Sequence, residues 1–317
     1  MSYVNSVVDK VYVINLDKDV KRMKKIGDEL RAAHIDFERF PAVLGKDVVA
    51  DKRLTGFCND FCTDGIKGCA LSHHTIWETA IQHGYETVLV LEDDAYIPPD
   101  LNEKLRHLLA RIPADWDLLY LGCRFYCNDE HLVPQISNRL MGTVPETHDE
   151  DIKKVKGSIG AHATIYKTAF LKRHIDEPVN THIDLEMHSW VLKHGAKAYG
   201  LYPEIIPVGE EHTNSNLSET FPPLFTSLAN QISVADNIPL GWSVSESFLK
   251  VGGMNLNALI LIIALTALLL PLPAVGLIAA WLTVEGLVSH NLRSWGIYML
   301  WLAAGLGLRR VTFGIRK

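Results

Sequence analysis

The sequence predicts an α/β fold with a mainly parallel sheet, and three observations lead to this prediction. Short apolar runs alternate with segments of helical periodicity from residue 10 to residue 122. Helices that recur between strands are typical of crossover connections, which cover both faces of a parallel sheet. The 317 residues are 48% hydrophobic, so the chain can bury a substantial core.

The strands and helices follow one another in a simple order. Lys10–Leu16 contains V-Y-V-I-N-L and predicts a buried strand, and Ile35–Val43 alternates like a second strand that we expect to pair with it in parallel. Further strands are predicted at 88–91, 116–122, 156–166 and 193–203. Helices are predicted at 19–34, 69–83, 101–111 and 168–176, and residues 128–156 are interpreted as a long loop with short strands.

Three consecutive carboxylates, Glu92, Asp93 and Asp94, follow the third strand directly. In such sheets ligands bind beyond the carboxyl ends of the strands. Because a bound divalent ion relieves the repulsion among adjacent carboxylates, the sequence favours a cation site here. The alternative interpretation is a solvated turn before Pro98 and Pro99.

Charge is distributed unevenly along the chain. Of 37 acidic residues only Glu285 follows Val251, together with five of the 31 basic residues, so the net charge is −10 before this point and +4 after it. An acidic body does not suit nonspecific binding of nucleic acid, which requires a basic surface. We therefore expect no nucleic-acid partner.

The five cysteines are not spaced regularly, and a chain of this size does not need disulfides to stabilise its fold. We interpret them as free thiols in a reducing compartment. A structural zinc site is the alternative, although the spacing does not match a C-x-x-C motif. The residues concerned are Cys58, Cys62, Cys69, Cys123 and Cys127, with His73 and His74 as nearby nitrogen ligands.

The carboxyl-terminal part of the chain has a different composition. Residues 221–255 predict a linker or a loosely packed extension, and 256–317 a membrane-associated helical segment. Leu256–Val284 contains no charged side chain, and about 20 apolar residues suffice to cross a bilayer. Pro271 and Pro273 interrupt this run, so it is interpreted as one kinked span or two short ones; a buried core hairpin is the alternative. A second apolar stretch covers Trp295–Leu308.

Basic residues near the carboxyl terminus indicate the orientation of this segment. Arg309, Arg310, Arg316 and Lys317 follow the second apolar stretch, which favours a cytoplasmic carboxyl terminus. With two crossings the body of the protein also faces the cytoplasm. The amino terminus has no evident secretory signal, which agrees with this expectation.

Six segments resemble glycosyltransferase family 25, which includes bacterial lipooligosaccharide galactosyl- and glucosyltransferases and animal procollagen galactosyltransferases. In chain order they are V-Y-V-I-N-L-D-K-D-V-K-R at 11–22, F-E-R-F-P-A-V at 37–43, G-C-A-L-S-H at 68–73, V-L-V-L-E-D-D-A at 88–95, G-A-H-A-T-I-Y at 160–166 and H-I-D-L-E at 182–186. The resemblance covers roughly residues 8 to 220, and on it we delimit a catalytic domain at 1–220.

The resemblance implies a GT-A type fold, a UDP-hexose donor and a divalent metal ion such as Mn²⁺. Glu92 and Asp94 have the spacing of a D-x-D motif and are the expected metal ligands, while Asp93 is expected to point towards the donor ribose or sugar. Because the sequence reads E-D-D, which two residues ligate stays open. His212 is a third candidate ligand, or else a surface loop histidine.

The family is regarded as inverting, so a base must deprotonate the acceptor hydroxyl. Asp184 is the candidate base and Glu186 the reserve, although Asp184 also fits a solvated carboxylate at a helix start. Ser72 and His73 are expected to open a helix that points into the ligand crevice. Ser72 is a candidate for donor binding or a helix cap, and His73 for substrate contact or a hydrogen bond to a loop carbonyl.

Asn15, Asp17 and Arg22 follow the first strand and are expected near the nucleotide, where Arg22 meets a phosphate or pairs with a local carboxylate. The sequence thus predicts a metal-dependent, membrane-attached glycosyltransferase with a saccharide or glycolipid acceptor. One alternative is a catalytically idle, membrane-anchored relative that acts as a binding module. Another is a different metal-dependent enzyme, such as a phosphohydrolase or a nucleotidyltransferase.

Overall fold

The computed structural model describes residues 2–127, 130–209, 221–235 and 238–314. The chain divides into two compact units, Met1–Asn214 and Ser215–Lys317. The strands of the first unit are β1 Lys10–Asn15, β2 Glu38–Pro41, β3 Thr87–Glu92, β4 Leu118–Tyr120, β5 Glu146–Thr147, β6 Ile152–Val155, β7 Ala163–Lys167 and β8 Ala198–Leu201. Its helices are α1 Tyr3–Val7, α2 Val20–Ala32, α3 Gly56–Phe61, α4 Asp64–His83, α5 Leu101–Leu109, α6 Leu132–Met141, α7 Thr168–His174 and α8 Ile183–His194.

The eight strands form one mixed sheet in the order β2-β1-β3-β7-β4-β8-β6-β5. β1 pairs in parallel with both β2 and β3, and β4 pairs in parallel with β8. β7 lies antiparallel between β3 and β4, and β6 is antiparallel to β5 and β8. Six strands therefore run in one direction, which confirms the predicted mainly parallel α/β sheet and the parallel pairing of the first two strands.

Each face of the sheet is covered by helices, because alternate residues of the central strands are apolar on both sides. Val88 and Val90 of β3 belong to the core beneath α4, α7 and α8. Leu89 and Leu91 belong to the opposite core, beneath α1, α2 and α5. This alternation also fixes the direction of the carboxylates that follow β3.

Helix α4 begins earlier than the sequence indicated. The hydroxyl of Thr63 accepts a hydrogen bond from the backbone N–H of Ile66, so the helix starts at Asp64 and not at Cys69. Ser72 and His73 consequently lie in the middle of α4. The expectation that they open a helix is wrong, because the capping signal C-T-D-G precedes the apolar periodicity.

Two further expectations are corrected by the structure. The segment 128–156 contains helix α6 besides its short strands, so it is not a long loop. Disulfides join Cys58 to Cys62 and Cys123 to Cys127, so the prediction of free thiols is wrong for these four residues. Only Cys69 lies outside a disulfide.

The second unit contains small sheets and helices. Its elements are α9 Pro223–Ala229, β9 Ser233–Ala235, β10 Ile238–Pro239, α10 Leu240–Ser245, β11 Ser247–Val251, β12 Met254–Asn257, α11 Ala258–Leu269, α12 Leu272–Ser289 and α13 Leu292–Gly314. Residues 221–255, expected as a linker or extension, thus include several short elements. Phe221 is fully buried in the core of this unit, against the ring of Tyr298.

The apolar run is divided at Pro271, which precedes the first residue of α12. Among the described residues one helix, α12, is long and apolar enough to cross a membrane, with a mean hydropathy of 1.6 over 18 residues. This criterion concerns length and composition only.

The carboxylate of Glu285 on α12 is fully buried and has three hydrogen-bond donors. The backbone N–H groups of Leu224 and Phe225 donate to it at 2.8 and 2.9 Å. The indole N–H of Trp281 donates at 2.9 Å. Glu285 therefore caps the amino-terminal end of α9 inside the second unit.

Candidate functional site

The candidate site lies at the carboxyl ends of β1 and β3. Ile14 is paired with Glu92 in the parallel register, so the residues that follow them, Asn15 at the end of β1 and Asp93 just after β3, also lie side by side. Three carboxylates and a buried amide are therefore brought to one edge of the sheet. This is the edge at which ligands bind in open α/β sheets.

Asp93 points to the α2 side of the sheet and is held there by two donors. The Asn15 side-chain amide donates to its Oδ2 at 2.7 Å, and Arg22 donates to its Oδ1 at 3.1 Å. Burial alone would lower the pKa of Arg22, but the charge and hydrogen bond of Asp93 outweigh burial and raise it. Arg22 therefore pairs with a local carboxylate, and its contact with a donor phosphate stays a prediction.

Glu92 points to the opposite side, towards α4. Its carboxylate lies 3.3 Å from Nε2 of His73, which is fully buried, and the Sγ of Cys69 lies close to both. The ligand atoms of these three residues lie within 4.8 Å of one another. Burial alone would raise the pKa of Glu92, but the hydrogen bond and charge of His73, aided by His162 and Arg22, lower it.

Asp94 is the least satisfied carboxylate of the site. Its Oδ1 is buried and has no hydrogen-bond partner among the described residues. Burial, followed by the charges of Glu92 and Asp93, raises the pKa of Asp94 to about 7. The backbone carbonyl of Asp94 accepts a hydrogen bond from the N–H of Gly209 at 2.7 Å, which brings residues 204–209 against the cluster.

An open pocket of about 440 Å³ lies beside the carboxyl end of β1. Asp17 at its rim is exposed and pairs with Arg39, whose Nε also donates to the Asn15 side chain at 2.9 Å. Asn15 therefore connects this pocket directly to Asp93. The pocket is lined by Asn15, Asp17, Val20, Met23, Lys24, Arg31, Phe37 and Arg39.

Asp184 lies at the first turn of α8 and is half-buried. Its Oδ2 accepts a hydrogen bond from the backbone N–H of Gly160 at 2.9 Å, which ties α8 to the segment that leads into β7. That segment reaches the same sheet edge, because the backbone carbonyl of His162 accepts a hydrogen bond from the N–H of Glu92. Burial, together with the nearby charge of Asp184, raises the pKa of Tyr126.

Glu186 and Ser72 both make contacts within the fold. Glu186 is buried, and its Oε2 accepts a hydrogen bond from the N–H of Asn180 at 3.1 Å. The Ser72 hydroxyl donates to the carbonyl of Gly68 at 2.6 Å and accepts from the N–H of Val43 at 2.8 Å. His212 lies outside the described residues.

Sequence reasoning missed two residues of this neighbourhood, Arg39 and His162, and considered Cys69 only as a ligand of an alternative zinc site. The spacing of Cys69 and His73, four residues apart on one helix, was an available signal, since such residues lie on the same helix face. The contributions of Arg39 and His162 depend on strand pairing, which no local pattern reveals.

The carboxylates fit a bound divalent cation. An aspartate oxygen buried without a donor, next to a second carboxylate, is costly unless a cation is present. Oxygen ligands suit Mg²⁺ and Mn²⁺. Oδ1 of Asp94 could supply one such ligand, whereas Glu92 contacts His73 and Asp93 is engaged by Asn15 and Arg22; which two of the three carboxylates would ligate stays open.

An α/β sheet with clustered carboxylates and an open pocket at its carboxyl edge is typical of proteins that bind a small ligand at that edge. The model of glycosyltransferase family 25 (LPS biosynthesis protein) matches residues 8–169, just over half of the chain. The chain therefore belongs to glycosyltransferase family 25.

Curated relatives carry related names. A glycosyltransferase 25 family member of Aedes aegypti is 35% identical over 128 residues, which cover 36% of this chain and 21% of that protein. Procollagen galactosyltransferase 1-B of Xenopus laevis is 32% identical over 146 residues, 41% of this chain and 24% of that protein. A probable inactive glycosyltransferase 25 family member 3 of Bos taurus is 30% identical over 128 residues, 36% of this chain and 22% of that protein. The match spans less than a quarter of each relative's length.

Proposed function

We propose that this protein is a metal-dependent inverting glycosyltransferase that transfers galactose or glucose from a UDP-sugar to a saccharide acceptor. The observation that carries the proposal is the buried, unpartnered oxygen of Asp94 next to Glu92 at the carboxyl end of β3. The segment that holds them lies within the region matched by the family model.

Glu92 and Asp94 would hold the divalent ion, which we propose to be Mn²⁺. When bound, the ion supplies positive charge to the donor diphosphate and stabilises the charge that develops as the sugar leaves. Asp93 is separated from these two proposed metal ligands, because Arg22 and Asn15 hold its carboxylate on the other side of the sheet. His212 remains a proposed additional ligand.

The nucleotide part of the donor would occupy the pocket beside β1. Asn15 and Asp17 line it with polar groups, and Phe37 supplies an aromatic ring. Asp93 accepts a hydrogen bond from Asn15, which lines the pocket, so it is the group we propose to contact the donor ribose or sugar. Arg22 and Ser72 support this arrangement through Asp93 and the Val43 backbone.

Asp184 is the proposed base that accepts the proton of the acceptor hydroxyl. The hydrogen bond from Gly160 fixes its carboxylate at the start of α8, beside the loop that reaches Glu92. Glu186 is the weaker candidate, because it is buried and engaged by the Asn180 backbone. His73 is fully buried and would act by positioning Glu92 through their hydrogen bond.

We further propose that the acceptor belongs to a lipooligosaccharide or another surface glycan and that the protein works at a membrane, with the catalytic unit facing the cytoplasm. The apolar helix α12 and the basic residues after it support the membrane part. The cysteines do not support the cytoplasmic orientation, because four of the five form disulfides and are not free thiols.

Donor turnover by the full-length protein tests the proposal. UDP-galactose, UDP-glucose and other UDP-sugars would be supplied with and without Mn²⁺, and free UDP measured for the wild type, Asp94→Asn and the control Glu103→Gln, which changes an exposed carboxylate on α5. Metal-dependent turnover of one sugar that is lost only in Asp94→Asn supports the proposal. Absence of donor binding and turnover with metal present would contradict the proposal and favour the alternative of a catalytically idle relative.

A further inference from the structure

A second cluster of metal-ligand type lies away from the carboxylates after β3. His174 is the last residue of α7, His194 is the last residue of α8, and Glu177 lies in the connection between these helices. The ligand atoms of the three residues lie within 4.8 Å of one another. Two imidazoles and one carboxylate form a donor set that first-row transition metals such as Zn²⁺ prefer.

The carboxylate lies between the two rings. Oε1 of Glu177 is 2.7 Å from Nδ1 of His174, and Oε2 is 3.2 Å from Nε2 of His194. Donors on a tetrahedral zinc ion, with bonds of about 2.1 Å, are separated by roughly 3.4 Å. Small side-chain movements would therefore suffice to admit an ion, provided that each ring presents its lone pair and carries its proton on the other nitrogen.

The cluster is partly built into the fold and partly open to solvent. The ring of His174 is buried, stacks on Trp190 at 5.5 Å between centroids and contacts Phe170 at 4.7 Å. The side chains of Glu177 and His194 are 40% and 37% exposed. One ligand is thus held rigidly by packing while the other two leave room for a water molecule as the fourth ligand.

We propose that His174, Glu177 and His194 form a Zn²⁺ site that fastens the carboxyl end of α7 to that of α8. Asp184, ten residues before His194, lies about 15 Å away along α8 at 1.5 Å per residue. The ion is therefore separate from the reaction. It fixes the helix whose first turn carries Asp184.

Zinc titration of the full-length, EDTA-treated protein tests this site by calorimetry, with Co²⁺ absorption as a second readout of ligand geometry. We expect His194→Asn and Glu177→Gln each to lower the affinity of one Zn²⁺ site at least about tenfold. This is the smaller loss of affinity that even residues supporting metal ligands cause when they are replaced. Zn²⁺ should also raise the melting temperature of the wild type more than that of either variant.

Two control variants keep the result specific. His107→Asn removes an exposed histidine that also faces a glutamate, Glu103 at 3.6 Å, but without a third ligand among the described residues. Glu92→Gln removes a proposed ligand of the other metal site. Both should retain the zinc site of the wild type. Equal zinc stoichiometry and affinity in the wild type, His194→Asn and Glu177→Gln would overturn the proposal.

Discussion

Two acidic side chains, Glu285 on α12 and Asp94 after β3, differ in how their buried oxygens are satisfied. Three N–H groups donate to Glu285, whereas Oδ1 of Asp94 has no partner among the described residues and lies next to two other carboxylates. A buried charge with a full set of donors stabilises the fold that supplies them. A buried carboxylate without donors destabilises the fold, which supports the proposal that Asp94 binds a cation.

Replacement of Asp94 is the most direct test of this difference and has the largest expected effect. Asp94→Asn should lower metal-dependent turnover by about 10²–10³-fold, the loss typical of one removed electrostatic contact to a transition state. Steady-state release of UDP over a series of Mn²⁺ concentrations measures it. A variant that keeps more than half of the wild-type turnover would exclude Asp94 from the site.

Replacement of Glu285 should affect stability. Glu285→Leu leaves the N–H groups of Leu224 and Phe225 and the indole of Trp281 without their acceptor, and we expect a loss of about 2–4 kcal/mol in the free energy of unfolding. Urea unfolding of the full-length protein measures this loss. Glu285→Gln keeps an acceptor oxygen and should lose less; equal losses would mean that volume, not hydrogen bonding, matters at this position.

The pH dependence of stability sharpens the comparison. The pKa of Asp94 is raised from 3.8 to about 7. In the metal-free protein, the free-energy cost of burying its ionised carboxylate is therefore absent at low pH and grows as the pH rises from about 4 to about 7. Asp94→Asn should therefore unfold at a higher temperature than the wild type above pH 7, with the difference shrinking towards pH 4. Melting curves in EDTA across this range measure it, and a difference that does not change with pH would contradict the assignment.

A third carboxylate, Asp17, extends the comparison to an exposed position and has the smallest expected effect. Its side chain is 86% exposed and pairs with Arg39. Exposed ion pairs contribute little, so Asp17→Ala should leave the melting temperature unchanged and alter the KM for the donor by no more than about twofold. A larger rise in KM would assign Asp17 a direct contact with the nucleotide.

The sequence predicted features that depend on local patterns. Continuous apolar runs located β1 and β3, alternation located β2, and the position of Glu92 at the end of a buried strand followed from the apolar run before it. The opposite directions of Glu92 and Asp93 also followed, because side chains alternate along a strand. These features need no knowledge of which strands pair.

What the sequence did not predict depends on contacts between distant segments. The link from Asn15 to Asp93 joins residues 78 positions apart, and it follows only from the register of β1 with β3. The burial of His73 follows from the packing of α4 against β3, where its ring meets Glu92, a residue 19 positions further along the chain. The pairing of Cys123 with Cys127 was missed because a spacing of four residues alone does not decide between thiols and a disulfide.

The position of β7 has a consequence for the chain as it emerges during synthesis. β3 and β4 do not pair with each other. Each pairs with β7, which lies between them and ends at Lys167. Until then the nascent protein carries open, hydrophobic strand edges at Val88–Leu91 and Leu118–Tyr120, which are the kind of edges that pair with other chains. A fragment that stops before Ala163 should therefore aggregate, and productive folding should depend on how quickly β7 becomes available.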